Sequence, residues 1–118
     1  MAKKPDLRVR HMLDAISAIQ KYTAGKSLEE FREDDLVRSL VERKLEIISE
    51  AARHIPENVL SKYPQIPWKS IKGIGNVLRH EYHEVLPAAL WAVVEKDLAP
   101  LNEAVLTILE NSTKKEFR

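Results

Sequence analysis

No stretch of this sequence alternates apolar and polar residues with period two. Apolar residues return instead every three or four positions along almost the whole chain. That spacing stacks side chains on one side of an α-helix, whereas a strand needs a period of two. Residues that break helices are scarce: there are three glycines, and two of them, Gly73 and Gly75, sit close together. The pattern predicts an all-α chain, and no internal repeat divides it.

The first helix is expected to start near Asp6, a plausible N-cap, and to reach about Tyr22. Met12, Ile16, Ile19 and Tyr22 would form its inner line, with Val9 and Leu13 beside them. "AGKS" around Gly25 would end it. A second helical segment follows "SLEEF", and its strong part runs from about Asp35 to Ile55. Leu36, Val37, Leu40, Val41, Leu45, Ile48, Ala52 and Ile55 make a stripe too wide for a simple surface helix. Burial on two sides is predicted, with a partner subunit as one way to cover the second. Arg43 and Glu50, seven apart, suggest a salt bridge at the rim of the stripe. "IPENVLSKYPQIPW" holds three prolines and reads as a connection with at most a short helix. Pro67 suits the first turn of the next helix, which carries "WKSIKGIGNVLRHEYHEV". A last helical region should run from Pro87 to about Asn111, kinked or divided by Asp97 and Pro100. The expected architecture is an up-and-down bundle of four to five helices forming one domain over residues 1–118. Trp68 and Trp91 read as core or interface aromatics.

A chain of 118 residues is large enough to bury a core without staples. It has no cysteine, which excludes disulfides, thiolate metal sites and cysteine nucleophiles. "MAKKPDLRVR" has no apolar run after its charges and is not a secretory signal. No stretch approaches the length of a membrane helix. A soluble, cytoplasmic protein is expected. The net charge of +1 gives no broad basic coat for gripping nucleic acid. Any such site must be local: "RVRH" near the start, Lys69 and Lys72, or the tail with Lys114, Lys115 and Arg118. "LEEFREDD" is an acidic patch between them.

"GNVLRHEYHE", Gly75 to Glu84, holds the densest chemistry in the chain. It lacks the His spacing of helical zinc proteases, since His80 and His83 are three apart rather than four. A metal there would need a third ligand, for which Glu84 and His11 are the candidates. "GIGNVL" has no strand before it and so is no dinucleotide loop. On a helix, Asn76, Arg79, His80 and His83 share an arc of about 100° at roughly 100° per residue. An amide, a guanidinium and two imidazoles then project together with no carboxylate among them. Such a face suits a phosphodiester: Arg neutralises phosphate oxygens, Asn hydrogen-bonds, and His moves protons near neutral pH. The plain alternative is a solvated helix face.

These residues carry a resemblance. The chain resembles the HepT-like ribonucleases of the HEPN superfamily, the toxin half of a bacterial toxin–antitoxin pair. The resemblance runs through "LDAISAIQKYT", "VERKLEIISEAARHIP", "IPWKSIKGIGNVLRHEYHEV" and "LWAVVEKDLAPL". The family signature is Arg-Asn, three variable residues, His, one residue, then Tyr. Asn76, His80 and Tyr82 match it, while Gly75 stands in place of the Arg. Arg79 lies one turn further on. Because helical side chains lean toward the helix N-terminus, its guanidinium is expected to extend back over Gly75.

The resemblance implies a HEPN-like helical bundle and cleavage of RNA without metal or other cofactor. His80 would be the general base, Arg79 would stabilise charge on the phosphorane, and Asn76 would position His80 or the phosphate. His83 would support them. Glu50 matches the glutamate of the family's "GEA" helix, with Ser49 replacing Gly. It would orient the catalytic side chains or pair with Arg43. The resemblance also implies a homodimer with both motifs facing one cleft, and leaves dimers of dimers open. Its antitoxin partner would be an MntA-like nucleotidyltransferase that transfers AMP to Tyr82. The second reading of the same residues is a catalytically silent HEPN dimer that binds a partner or RNA without cutting. The Gly75 departure favours it.

Overall fold

A computed structural model describes residues 3–80 and 85–116, with side chains for 7–80 and 87–112. Every described element is helical. They are α1 (Lys3–Thr23), α2 (Leu28–Glu33), α3 (Asp35–Arg53), α4 (Glu57–Leu60), α5 (Trp68–His80), α6 (Val85–Ala92) and α7 (Leu98–Glu116). A π-helical turn, Val93–Asp97, joins α6 to α7. Thus α1, α3, α5 and the α6–α7 rod are the main elements of the bundle, and α2 and α4 are short pieces in its connections.

The helix starts follow local chemistry. Ser27 caps α2: its hydroxyl accepts from the Glu30 N–H, while the Glu30 carboxylate accepts from the Ser27 N–H. The Asp34 carboxylate accepts from the Val37 N–H and caps α3. Before α5, the chain is anchored by Trp68, whose Nε1 donates to the Tyr63 carbonyl at 3.0 Å. Pro67 sits one residue earlier than expected, just outside α5, where its carbonyl accepts from the Ile71 N–H.

The predicted inner lines hold, and four details around them are corrected. α1 begins at Lys3, so Asp6 lies inside the helix rather than capping it. Its buried line is Val9, Met12, Ile16, Ile19 and Thr23, and Tyr22 is exposed. Alternating steps of three and four keep to one side of a 3.6-residue turn, and Thr23, not Tyr22, is the next such position. The Thr23 hydroxyl donates to the Ile19 carbonyl, which satisfies it in the core. Leu36 is 83% exposed. It falls on the side of α3 opposite the line Val41, Leu45, Ile48 and Ala52, because five residues turn a helix by roughly 140° past a full turn. The pair Arg43–Glu50 does not form. Two turns separate them by about 10 Å along the axis. Arg43 instead meets Glu46 at 3.4 Å, and Glu50 meets His54 at 2.8 Å.

The breadth of the α3 stripe has an explanation within the chain. α3 packs against α1 on one flank and α5 on the other, and touches α2 and α6. Phe31 of α2 is fully buried, with its ring centroid 5.0 Å from that of Trp91 in α6, which pins the short helix to the last rod. The last rod departs from regular α geometry where the sequence suggests. Pro100 has no N–H for the Lys96 carbonyl four residues back. The wider turn just before it absorbs the mismatch, and the Leu98 N–H bonds the Val93 carbonyl five residues back. Among the described residues no helix is long and apolar enough to cross a membrane.

Leu45→Ala is expected to lower the unfolding free energy by about 2–5 kcal/mol, as loss of a buried leucine does. Leu36→Ala should change it by no more than about 0.5 kcal/mol. Urea melts of both variants check the assignment, and equal losses would contradict it.

Candidate active site

α5 has an apolar side and a polar side. Ile71, Ile74 and Gly75 are buried, and Leu78 is half-buried against the core. Asn76, Arg79 and His80 are exposed. The three predicted polar residues therefore lie on the solvent side of one helix. His83 and Tyr82, the other residues expected there, lie outside the described residues.

Ser49 fixes where that helix sits. It is 2% exposed, at the face of α3 that meets α5. Its hydroxyl donates to the Lys72 carbonyl at 2.8 Å and accepts from the Gly75 N–H at 3.3 Å. A buried hydroxyl is costly unless bonded, and here one hydroxyl is used both ways. Two helices are thus registered at the position where the motif begins. A Cβ placed on Gly75 would lie 3.6 Å from Ser49 Oγ and 3.5 Å from Arg79 Nη1. The Arg79 guanidinium therefore stands over Gly75, one turn back toward the helix N-terminus, as the lean of helical side chains predicts.

Glu50 is adjacent in sequence to Ser49 but turned by roughly 100°, as successive helical residues are. It looks into a different space. A cleft of about 500 Å³ lies between α1 and α3, with Arg8 and His11 on one wall and Arg43, Glu50 and His54 on the other. The His54 Nε2 hydrogen bond holds the Glu50 carboxyl below the ordinary glutamate range. Desolvation opposes this, and the positive charges of His54, Arg53 and Arg8 add to it. Within one chain, then, Asn76, Arg79 and His80 share the α5 face, while Glu50 belongs to the α1–α3 cleft. His54 was missed in the sequence, although its spacing of four from Glu50 is the signal that would have found it. Arg8 and His11 belong to the "RVRH" stretch. Among the described residues, no group of three or more His, Cys, Asp or Glu is arranged to hold a metal ion.

Residues 12–108 match the family described as Ribonuclease HepT-like. The chain belongs to the HepT-like ribonuclease family. A protein of Caldanaerobacter subterraneus subsp. tengcongensis named "Putative RNase" is 32% identical over 92% of this chain and 96% of its own length. A Thermococcus cleftensis protein named "Probable ribonuclease HepT" is 34% identical over 75% of this chain and 80% of its own. A third relative, from Methanocaldococcus jannaschii, is named "Gamma-glutamylcyclotransferase and putative RNase". It is 33% identical over 97% of this chain, which spans 51% of that protein's length. No solved structure matches. The family match begins in α1 and ends in α7, so it takes in the α5 face and the α3 wall of the cleft, while Arg8 and His11 on the α1 wall precede it.

Three measurements check the geometry. Ser49→Ala removes the two hydrogen bonds that tie α3 to α5, each worth about 0.5–1.5 kcal/mol, and should lower stability by about 1–3 kcal/mol. Gly75→Ala makes only ordinary contacts and should raise it by about 0.5–1 kcal/mol, the helix-interior difference between the two residues. Carbon NMR should place the Glu50 titration below the ordinary glutamate range, and His54→Ala should move it back up. The sign for stability follows from the depressed value. The stabilisation is present at neutral pH, above the unfolded-state pKa, and is lost as pH falls through the folded one.

Proposed function

We propose that this chain is a metal-independent endoribonuclease, the toxin of a toxin–antitoxin pair, with Asn76, Arg79 and His80 as its reacting face. His80 takes the proton from a ribose 2′-OH. The 2′ oxygen then attacks the adjacent phosphorus, the bond to the 5′ oxygen breaks, and that oxygen leaves with a proton. The products are a 2′,3′-cyclic phosphate and a 5′-hydroxyl. Arg79 stabilises the charge that builds on the non-bridging oxygens. Asn76 positions the phosphate or His80.

The observation that carries this reading is the place of the Arg79 guanidinium. It occupies the space over Gly75, where the family's signature Arg would start, and shares an exposed face with Asn76 and His80. Membership in a ribonuclease family makes RNA the natural substrate. The protein acts in the cytoplasm as a homodimer, in which two α5 faces concentrate charge that a single +1 chain does not. In such a dimer Glu50 and His83 support the reacting groups. A nucleotidyltransferase antitoxin of the MntA type silences it by adding AMP to Tyr82, two residues from His80. The bulk and negative charge then exclude RNA phosphate. The absence of the signature Arg supports a second reading, a silent HEPN dimer that binds RNA or a partner protein.

The test is cleavage of RNA in EDTA by protein that mass spectrometry shows to be unmodified at Tyr82. His80→Ala and Arg79→Ala are each expected to lose at least about 100-fold in rate, the usual scale for a general base or an oxyanion donor. Gly75→Arg combined with Arg79→Ala should recover part of the loss, because it returns the guanidinium to the same space. A folded wild type that leaves every RNA intact would decide for the silent dimer. Full activity in Arg79→Ala would remove Arg79 from the mechanism.

A further inference from the structure

Among the described helices, α5 carries basic residues without acidic ones. Its thirteen residues, Trp68–His80, contain Lys69, Lys72, Arg79 and His80 and no Asp or Glu. The chain as a whole carries 18 acidic residues against 19 Lys and Arg, and the other main helices mix both signs. Over residues 68–80, basic groups are thus gathered without a carboxylate, and Glu81 follows directly in the sequence.

The cations of α5 also line up. Lys69, Lys72, Asn76, Arg79 and His80 fall within an arc of about 100° at roughly 100° per residue. The arc lies away from the buried side chains of Ile71 and Ile74. Lys69 is exposed and makes no ion pair among the described residues, while Lys72 is half-buried. At 1.5 Å per residue the stripe is about 16 Å long, enough to follow several consecutive phosphates of an extended strand. Its far end is held in place. The Lys72 carbonyl is bonded by Ser49, and its ammonium is 2.5 Å from the carboxylate of Glu57, at the start of α4. Among the described residues, Glu57 reaches the stripe at Lys72. It orients Lys72 and competes with phosphate for it.

We propose that Lys69 and Lys72 form a phosphate-binding track for single-stranded RNA, continuous with the Asn76–Arg79–His80 face, and that Glu57 tempers its affinity. The track rests on the ribonuclease reading and adds the direction in which the substrate leaves the reacting face: along α5 toward Trp68. The lysines bind substrate before and during reaction alike, so they act on affinity rather than on the chemical step. Glu57 keeps the track from gripping RNA so firmly that product is retained.

The test separates binding from cutting. Binding is measured by fluorescence anisotropy with a labelled single-stranded 2′-O-methyl RNA, which lacks the attacking hydroxyl. Cleavage is measured on the same sequence as unmodified RNA. Lys69→Ala with Lys72→Ala is expected to weaken binding about tenfold at low salt and to flatten the salt slope by about 1.4, since each phosphate contact contributes about 0.7 on a single strand. KM should rise while kcat at saturation stays the same. Glu57→Gln should tighten binding severalfold. Lys96→Ala, an exposed lysine on the π-helical turn, should change nothing. Lys69→Glu alone serves if loss of the Lys72–Glu57 pair unsettles the fold.

Unchanged affinity and salt slope in the folded lysine variants would overturn the track even if the wild type cuts RNA. Stripe-dependent binding without cleavage would support the track and defeat the ribonuclease reading. A wild type that does not bind the RNA at all would defeat both.

Discussion

The burial of α3 along two flanks is the interaction on which the rest of the structure depends. Val41, Leu45, Ile48 and Ala52 are fully buried, and residues beside them meet α1 on one side and α5 on the other. Because a helix surface can be covered by only a few neighbours, this choice fixes which parts of α3 remain free. The remaining ridge carries Arg43, Glu46 and Glu50. Two successive residues, Ser49 and Glu50, are thereby sent to different places. One becomes the polar bolt between α3 and α5, and the other becomes a wall of the α1–α3 cleft.

Ser49 is a small residue with a large structural effect. It replaces what would otherwise be an apolar contact by two hydrogen bonds to backbone groups of α5. Backbone partners cannot change rotamer, so the register of the two helices is held more sharply than apolar packing alone would hold it. The absence of a side chain at Gly75 lets the Arg79 guanidinium lie in the same region. Order in the core is passed outward to the polar face through one hydroxyl and one missing side chain.

Electrostatics is arranged by exclusion. A net charge of +1 spread evenly would give no field worth naming. The arc shared by Lys69, Lys72, Asn76, Arg79 and His80 holds no carboxylate, which concentrates positive charge on one face, while acids elsewhere hold the total near zero. The α1–α3 cleft follows the opposite plan, with Glu46 and Glu50 set among Arg8, Arg43 and the two histidines. A same-sign stripe attracts an extended polyanion. A mixed cleft binds through paired contacts.

Much of the fold was legible because a helical core repeats at a helical period. The spacing of Val9, Met12, Ile16 and Ile19 and the breadth of the α3 stripe foretold the bundle, and Pro100 marked the irregular turn before it. The α5 face was legible for the same reason, since Asn76, Arg79 and His80 share it on any straight helix. Where periodicity is indifferent, the sequence was silent or misleading. Tyr22 has the size of an inner residue, yet the alternation of three and four leads to the polar Thr23, which is the one buried. Leu36 is apolar yet faces water. Glu50 was matched with Arg43, two turns away, whereas His54, one turn away, is the partner it reaches. By itself, then, the sequence determined the helices, their apolar sides and the polar set on α5, because these depend on neighbours within a turn or two. The lean of Arg79 over Gly75 belongs with these, and the tertiary structure alone decided that Ser49 bonds α5 and that Glu50 faces the α1–α3 cleft. Each of those depends on how one helix is rotated against another, and no local spacing encodes that angle.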